Sequence, residues 1–392
     1  MSNKILALVS AGAPGLTRLL FFVFFEYVFG LDALGEFSSS FFIAMMICFF
    51  TSIGWSLLVE VRVPASAIEN RSKIFSGIFL MSIMATAIIL FVLMFLGRFV
   101  SDFMYDVAIV VVVWGGYTFL RSWFFVHRQY KELLLYDVFF MCLALLSILI
   151  SFVSGIYFSF VLLAVVVPVY FVFMSLSKVR LSIAGCDSPY KGVEFGLVNF
   201  LSSSILLSFV PLVAYFESSD LAGYVTLLGA VANIGILIPR AVSAYQMPML
   251  ASMGLNDKKF YKVIKRIFAF QIISNFIFFF SAFLVISHFV DLLYPVEFTA
   301  YTKEMILFLM VSYTYVSICS IVPSNVLCIA EDSRYMIYLN ATSAAVFYFM
   351  CISMFYVGFD LYVLYVFSIC IGFFRLFSLS RHSRSLIIRS MG

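Results

Sequence analysis

KILALVSAGAPGLTRLLFFVFFEYVFG, residues Lys4–Gly30, is long enough to cross a bilayer, for which a helix needs about 20 apolar residues. It carries Arg18 near its middle, just after Gly12-Ala13-Pro14-Gly15, which predicts a break in the helix. A charge at that depth costs at least ~2.5 kcal/mol. A chain keeps such a residue where it faces a wet interior, a partner, or both. This first helix is therefore expected to line a cavity, with Arg18 pointing in as an anion ligand. The alternative is a structural pair, with an acid on a neighbouring helix or with a carbonyl freed near Pro14.

The rest of the 392 residues agree: 64% are hydrophobic, 11% are charged, and mean hydropathy is +1.12. That composition excludes a soluble domain and implies a polytopic membrane protein. The first apolar run has no small-residue cleavage site behind a short apolar core, so it is expected to be retained as a span. The seven cysteines form no CxxC pair, and the three histidines (His127, His288, His382) lie far apart in sequence. Neither a disulfide framework nor a metal site is indicated.

Apolar runs between short polar breaks predict twelve spanning helices, roughly 5–29, 37–60, 75–98, 105–126, 133–153, 156–177, 193–216, 221–245, 266–290, 302–328, 334–357 and 360–380. With the N-terminus in the cytoplasm, 18 of the 24 Lys and Arg residues fall on the cytoplasmic side, and only Arg98 and Lys303 fall outside. The remaining four, Arg18, Arg121, Arg240 and Arg375, lie within spans. Both termini are then cytoplasmic, and no outward loop exceeds about a dozen residues.

Glu26-Tyr-Val-Phe-Gly-Leu-Asp32-Ala-Leu-Gly35 recurs in outline as Ala214-Tyr-Phe-Glu-Ser-Ser-Asp220-Leu-Ala-Gly223, 188 positions later. Aligning Gly35 with Gly223 aligns Asp32 with Asp220, Leu31 with Ser219 and Tyr27 with Tyr215. Six helices per repeat is an even number, so both repeats have the same topology. The expected organisation is an N-terminal six-helix bundle (1–180), a cytoplasmic linker (181–192) and a C-terminal six-helix bundle with a short basic tail (193–392).

No GxxxxGK[ST] loop, nucleophile elbow or HExxH is present, so neither nucleotide hydrolysis by that route nor those hydrolase chemistries are indicated. No cofactor, metal or nucleic-acid partner is indicated, and the chain reads as a non-enzyme. What remains is the set of polar groups inside the membrane. Arg240 follows Pro239 and either faces the same cavity as Arg18 or reaches the cytoplasmic interface. Arg121, about five residues from the cytoplasmic end of its helix, is expected to snorkel, with a cavity cation as the other reading. Arg375 reads as an inside anchor. Glu26, Glu60, Asp137 and Glu194 are candidates to carry a coupling proton or sodium ion, or to neutralise an arginine. Asn199 with Ser202–Ser204, the pair Gln271 and Asn275, and Asn325 after Pro323 suit a polar cavity wall or interhelical contacts. The 49 Phe and 22 Tyr read mostly as lipid-facing bulk and interface belts.

Twelve spans in two sixes, the charged first helix running into a tyrosine/glycine turn, Asp220-Leu-Ala-Gly-Tyr224, Pro239-Arg-Ala-Val-Ser-Ala-Tyr-Gln-Met-Pro248 and Leu292-Leu-Tyr-Pro-Val-Glu-Phe298 together resemble Wzx-type O-antigen flippases. These form the polysaccharide-transport branch of the multidrug/oligosaccharidyl-lipid/polysaccharide (MOP) exporter superfamily. The resemblance covers the whole chain. It implies an all-α, MATE-like pair of bundles with a cationic central cavity in the bacterial inner membrane. It also implies movement of an undecaprenyl-diphosphate-linked oligosaccharide from the cytoplasmic to the periplasmic leaflet. Arg18 and Arg240 match positions where such flippases place cavity cations. Implied partners are membrane lipids, a coupling proton or sodium ion, and a polysaccharide polymerase with its chain-length regulator. Two rivals make different demands. A cation-coupled drug exporter of the same fold would need an acidic or apolar cavity, against which Arg18 argues. A membrane glycan polymerase or ligase would need a substantial outward loop.

Overall fold

The computed structural model describes residues 3–97, 103–177, 179, 190–232, 258–293, 303–330, 332–358 and 360–391. All described secondary structure is helical. The helices are α1 (Asn3–Phe29), α2 (Leu31–Cys48), α3 (Gly54–Ala65), α4 (Arg71–Gly97), α5 (Phe103–Val126), α6 (Tyr130–Ser154), α7 (Phe158–Ala164), α8 (Val166–Ser177), α9 (Tyr190–Phe216), α10 (Ser219–Ala232), α11 (Lys258–Leu293), α12 (Lys303–Cys319), α13 (Ile321–Ile329), α14 (Ser333–Val357) and α15 (Leu361–Met391). Among the described residues, ten helical stretches are long and apolar enough to cross a membrane. Of the two other predicted spans, 221–245 begins as α10 and continues outside the described residues, and 266–290 lies within α11. The chain is a multi-pass membrane protein.

Several predicted boundaries move. α2 and α3 form one span, Leu31–Pro64, joined by a π-bulge at Phe49–Ile53. A π-turn leaves carbonyls without their usual helical donors. Here the Trp55 indole donates to the Phe50 carbonyl at 2.9 Å and Ser82 Oγ donates to that of Thr51. The predicted span 156–177 is two helices that meet at Val165, just before Pro168. The predicted basic tail is not a tail, because α15 continues as helix to Met391.

Contacts divide the chain into two compact units, Met1–Thr226 and Leu227–Gly392. In the first, α5 is the hub and packs against α2, α3, α4, α6, α7 and α8. Its sequence fits that place: Val107, Val111, Trp114, Tyr117, Phe119 and Phe124 are all buried, and its charged residues Asp106 and Arg121 are met by partners on neighbouring helices. Many aromatics belong to this core rather than to the lipid face. Phe21, Phe22 and Phe25 of α1 interleave with Phe37 and Phe41 of α2 and with Phe158 of α7, at ring-centroid distances of 5.0 to 5.8 Å. Buried Asp106 at the start of α5 accepts hydrogen bonds from Tyr157 (2.8 Å) and Ser159 (2.6 Å), which ties α5 to α7.

The sequence repeat is realised within this unit as a reciprocal contact. A Cβ on Gly35 would fall inside contact distance of the Ser219 carbonyl, and one on Gly223 inside that of the Leu31 carbonyl. Leu31 and Ser219 are themselves the aligned pair, as are Gly35 and Gly223. Three steps on, Thr226 Oγ1 donates to Ser38 Oγ at 2.8 Å, across the same 188 positions. Residue i touches the counterpart of j, and j the counterpart of i, as about a local two-fold axis. Only glycine lets the two backbones approach so closely. Gly35→Ala is expected to cost about 1–3 kcal/mol by overpacking, and Gly35→Leu to leave no folded protein. Thermal unfolding in detergent and the protein level in membranes check both.

In the second unit, α11 packs on α13 and α15 through Phe260, Ile264, Val322, Val326 and Ile387. Leu327, Leu339 and Leu379 join α13, α14 and α15. Asp332 caps α14 by accepting from the Tyr335 amide, and its other oxygen lies 2.8 Å from His382 Nε2, with the His382 ring stacked on Tyr335. The bond to His382 holds the Asp332 carboxyl below the ordinary carboxylate value. Its contribution to stability is therefore present above that ordinary value and lost as pH falls below it. Asp332→Ala is expected to cost about 1 kcal/mol at neutral pH through the lost cap, and Asp332→Asn less, as thermal unfolding would show.

Candidate functional site

Pro14 does not break α1. The helix runs through it, although a proline cannot donate to the carbonyl four residues back, here that of Ser10. Arg121 supplies the missing donor: its Nη2 donates to the Ser10 carbonyl. Ser10 Oγ in turn donates to the Tyr130 carbonyl at 3.4 Å. The guanidinium reaches α1 from α5 because Asp137 on α6 orients it. Nε lies 2.9 Å from Asp137 Oδ1 and Nη2 lies 3.3 Å from Oδ2, a bidentate fork. Tyr117 Oη, one turn before Arg121 on α5, donates to the same Oδ1 at 2.7 Å. The Tyr117 ring stacks on Phe140 at 3.9 Å, which fixes the hydroxyl.

One cluster therefore ties α1, α5 and α6 together. Asp137 is 1% exposed and Arg121 16%, so the carboxylate is closed off while one edge of the guanidinium stays accessible. Arg121 does not snorkel to the interface: a carboxylate one helix away holds it inside. Glu60 on α3 is the third charge. Its side chain is accessible, and it and Arg121 act on each other electrostatically. With both acids ionised the three charges sum to minus one, and with Glu60 protonated they sum to zero.

The other candidates are placed as follows. Arg18 is half-buried on α1, two turns beyond Ser10. Asp137 pairs with Arg121. Glu26 is half-buried near the far end of α1. Glu194 is not a buried acid: it is 41% exposed near the start of α9, 3.7 Å from Lys191. Asn199 donates to the carbonyl of Phe195 in its own helix at 2.8 Å. In the second unit Gln271 donates to the Ile318 carbonyl at 3.2 Å, joining α11 to α12. Asn275 is 5% exposed, and its amide nitrogen has no hydrogen-bond partner among the described residues. Asn325 is half-buried on α13. Arg240 and the stretches 239–248 and 294–298 lie outside the described residues.

Arg375 was not legible as an interior residue. With α15 ending near 380 it reads as an interface anchor, but α15 continues to Met391, and Arg375 is half-buried there and interacts electrostatically with Tyr313 of α12. Ser10 was missed as well. The signal for it was present, since Pro14 marks the carbonyl four residues back as one in need of a donor.

No protein-family model matches the sequence, and no curated protein matches it either. Solved structures do match over nearly the whole chain. The chain is similar to the MATE multidrug transporter DinF-BH, at 12% identity and a TM-score of 0.65, covering 98% of this chain and 95% of that one. It is similar to a MOP superfamily transporter from Pyrococcus furiosus, at 11% identity and a TM-score of 0.61, covering 99% and 95%. It is also similar to the lipid II flippase MurJ in an inward closed conformation, at 11% identity and a TM-score of 0.66, covering 99% and 90%. The chain thus shares its all-helical, multi-pass fold with these transporter structures.

Proposed function

We propose that the chain is a flippase that carries an undecaprenyl-diphosphate-linked oligosaccharide repeat from the cytoplasmic to the periplasmic leaflet by alternating access. The observation that carries this reading is Arg18, a permanent cation near the middle of a membrane-spanning helix. The diphosphate must cross a low-dielectric interior, and an arginine offers it a planar, permanently charged, bidentate donor. The glycan would lie in a polar cleft and the lipid tail would stay in the bilayer. That a lipid II flippase is among the structures of this fold agrees with such a cargo. The sequence resemblance to Wzx-type flippases supplies the glycan class, O-antigen or a related polysaccharide. Arg240 would be a second cavity cation.

Glu60 is the proposed coupling group. Its protonation removes the excess negative charge beside Arg121, so binding of an anionic headgroup and uptake of a proton favour each other. Glu60→Gln is expected to flatten the response of transport to a transmembrane pH gradient while leaving the protein folded, which transport at imposed gradients would read.

Deletion of the gene tests the substrate class. The flippase reading expects loss of polymeric surface glycan with unchanged susceptibility to organic cations. Hypersensitivity to such cations with normal glycan would favour a drug exporter instead.

A further inference from the structure

The second unit contains a buried polar group that no described protein atom satisfies. Asn340 on α14 is 2% exposed, and neither its amide nitrogen nor its carbonyl oxygen has a hydrogen-bond partner among the described residues. A carboxamide in that position is normally met by water or a ligand. Two contacts fix what faces it. Tyr335 Oη donates to the Ser378 carbonyl at 3.2 Å, and Asp332 meets His382 at 2.8 Å, so α14 and α15 run antiparallel. Equal steps along both helices from either pair bring Asn340 opposite residues 373 and 374, next to Arg375.

Arg375 is the residue there that points the right way. The buried positions Ser368, Ile371, Leu379 and Ser383 recur along α15 at helical steps, and Arg375 fills the step between Ile371 and Leu379. It therefore lies on the stripe that faces the bundle, as Asn340 lies on the buried stripe of α14 with Leu339, Ser343 and Phe347. The third side is α12, where Tyr313 and Arg375 act on each other electrostatically and Gly372 seats against Val316.

We propose that Arg375, Asn340 and Tyr313 form an oxyanion site inside the second unit, shaped for a phosphate-type group. The guanidinium supplies charge and a planar fork, the Asn340 amide supplies N–H donors, and the Tyr313 hydroxyl supplies one more. An ionisable residue inside a membrane span marks a ligand path by default. The site stands on the second unit alone and does not depend on Arg18 contacting a substrate. Its anion has two candidate sources, the diphosphate of a lipid-linked substrate or free inorganic phosphate species.

The test is thermal unfolding of the purified full-length protein in nanodiscs. Inorganic pyrophosphate is titrated against chloride at matched ionic strength, and in a second arm undecaprenyl diphosphate is included in the lipid. Stabilisation of several degrees is expected in at least one arm. A response to pyrophosphate identifies a site open to free anions, and a response to the diphosphate lipid alone identifies the substrate headgroup. Arg375→Gln should abolish the shift, and Asn340→Leu should weaken apparent affinity about tenfold or more. Should Arg375→Gln fail to fold, Asn340→Asp carries the same test, because a carboxylate there should repel the anion and remove the shift. No stabilisation in either arm, or an undiminished shift in the variants, overturns the proposal.

Discussion

Asp137→Ala is expected to destabilise the protein by about 3–5 kcal/mol, the range for removing one partner of a buried ion pair. The physical reason is that two donors lose their acceptor and a third group, a carbonyl, loses its donor. Arg121 keeps its charge inside the protein without the carboxylate it forks onto, and Tyr117, fully buried, loses the partner of its hydroxyl. Freed from its fork, the guanidinium is also no longer aimed at the Ser10 carbonyl, so α1 loses the donor that spans Pro14. Asp137→Asn should be milder, since the amide oxygen still accepts from Tyr117. The double variant Arg121→Met/Asp137→Leu should recover part of the loss by removing both charges, but not all of it, because the Ser10 carbonyl stays unsatisfied. Thermal unfolding in detergent, read for all three, checks the order. If Asp137→Ala unfolded within about 0.5 kcal/mol of the native protein, the cluster would not hold the first unit together.

Arg18→Ala is expected to abolish surface glycan while the protein level in the membrane holds. Truncating one partner of a desolvated charge contact costs about 2–5 kcal/mol, or roughly 30- to 4,000-fold in affinity. A transporter that must capture its cargo from a dilute lipid pool would fall below the flux needed to polymerise. Arg18→Lys keeps the charge but not the fork, so it should retain part of the glycan. The contrast with Asp137 matters, because that variant should fail through stability and Arg18→Ala should fail at constant abundance. Wild-type glycan with Arg18→Ala would remove Arg18 from the transport path.

The sequence carried the large pattern because hydropathy and loop charge are local. It carried the repeat because Asp32-x-x-Gly35 and Asp220-x-x-Gly223 keep their spacing, and the structure turns that spacing into a backbone contact. It did not carry the features that depend on partners far along the chain. Pro14 predicts a break, yet α1 continues because a guanidinium 111 positions away meets the orphaned carbonyl. Arg121 reads as a snorkelling residue until Asp137 is seen on the next helix. Glu194 reads as buried from the apolar run around it, but it lies near the start of α9 with its side chain 41% exposed. The length of α15 was hidden by the basic residues after 380, which look like a tail and instead form the outer face of a helix packed through Leu379 and Ile387. The aromatic core was hidden by composition, since phenylalanine suits lipid and protein interior equally.

The central claim is translocation of a lipid-linked glycan, and the most direct measurement is where that lipid resides when the gene is deleted. Undecaprenyl-diphosphate-linked repeats would be extracted and their exposure on each face of the inner membrane determined. The account predicts single, unpolymerised repeats confined to the cytoplasmic face. Unpolymerised repeats exposed on the periplasmic face would contradict it, since the cargo would have crossed without this protein and the defect would lie downstream.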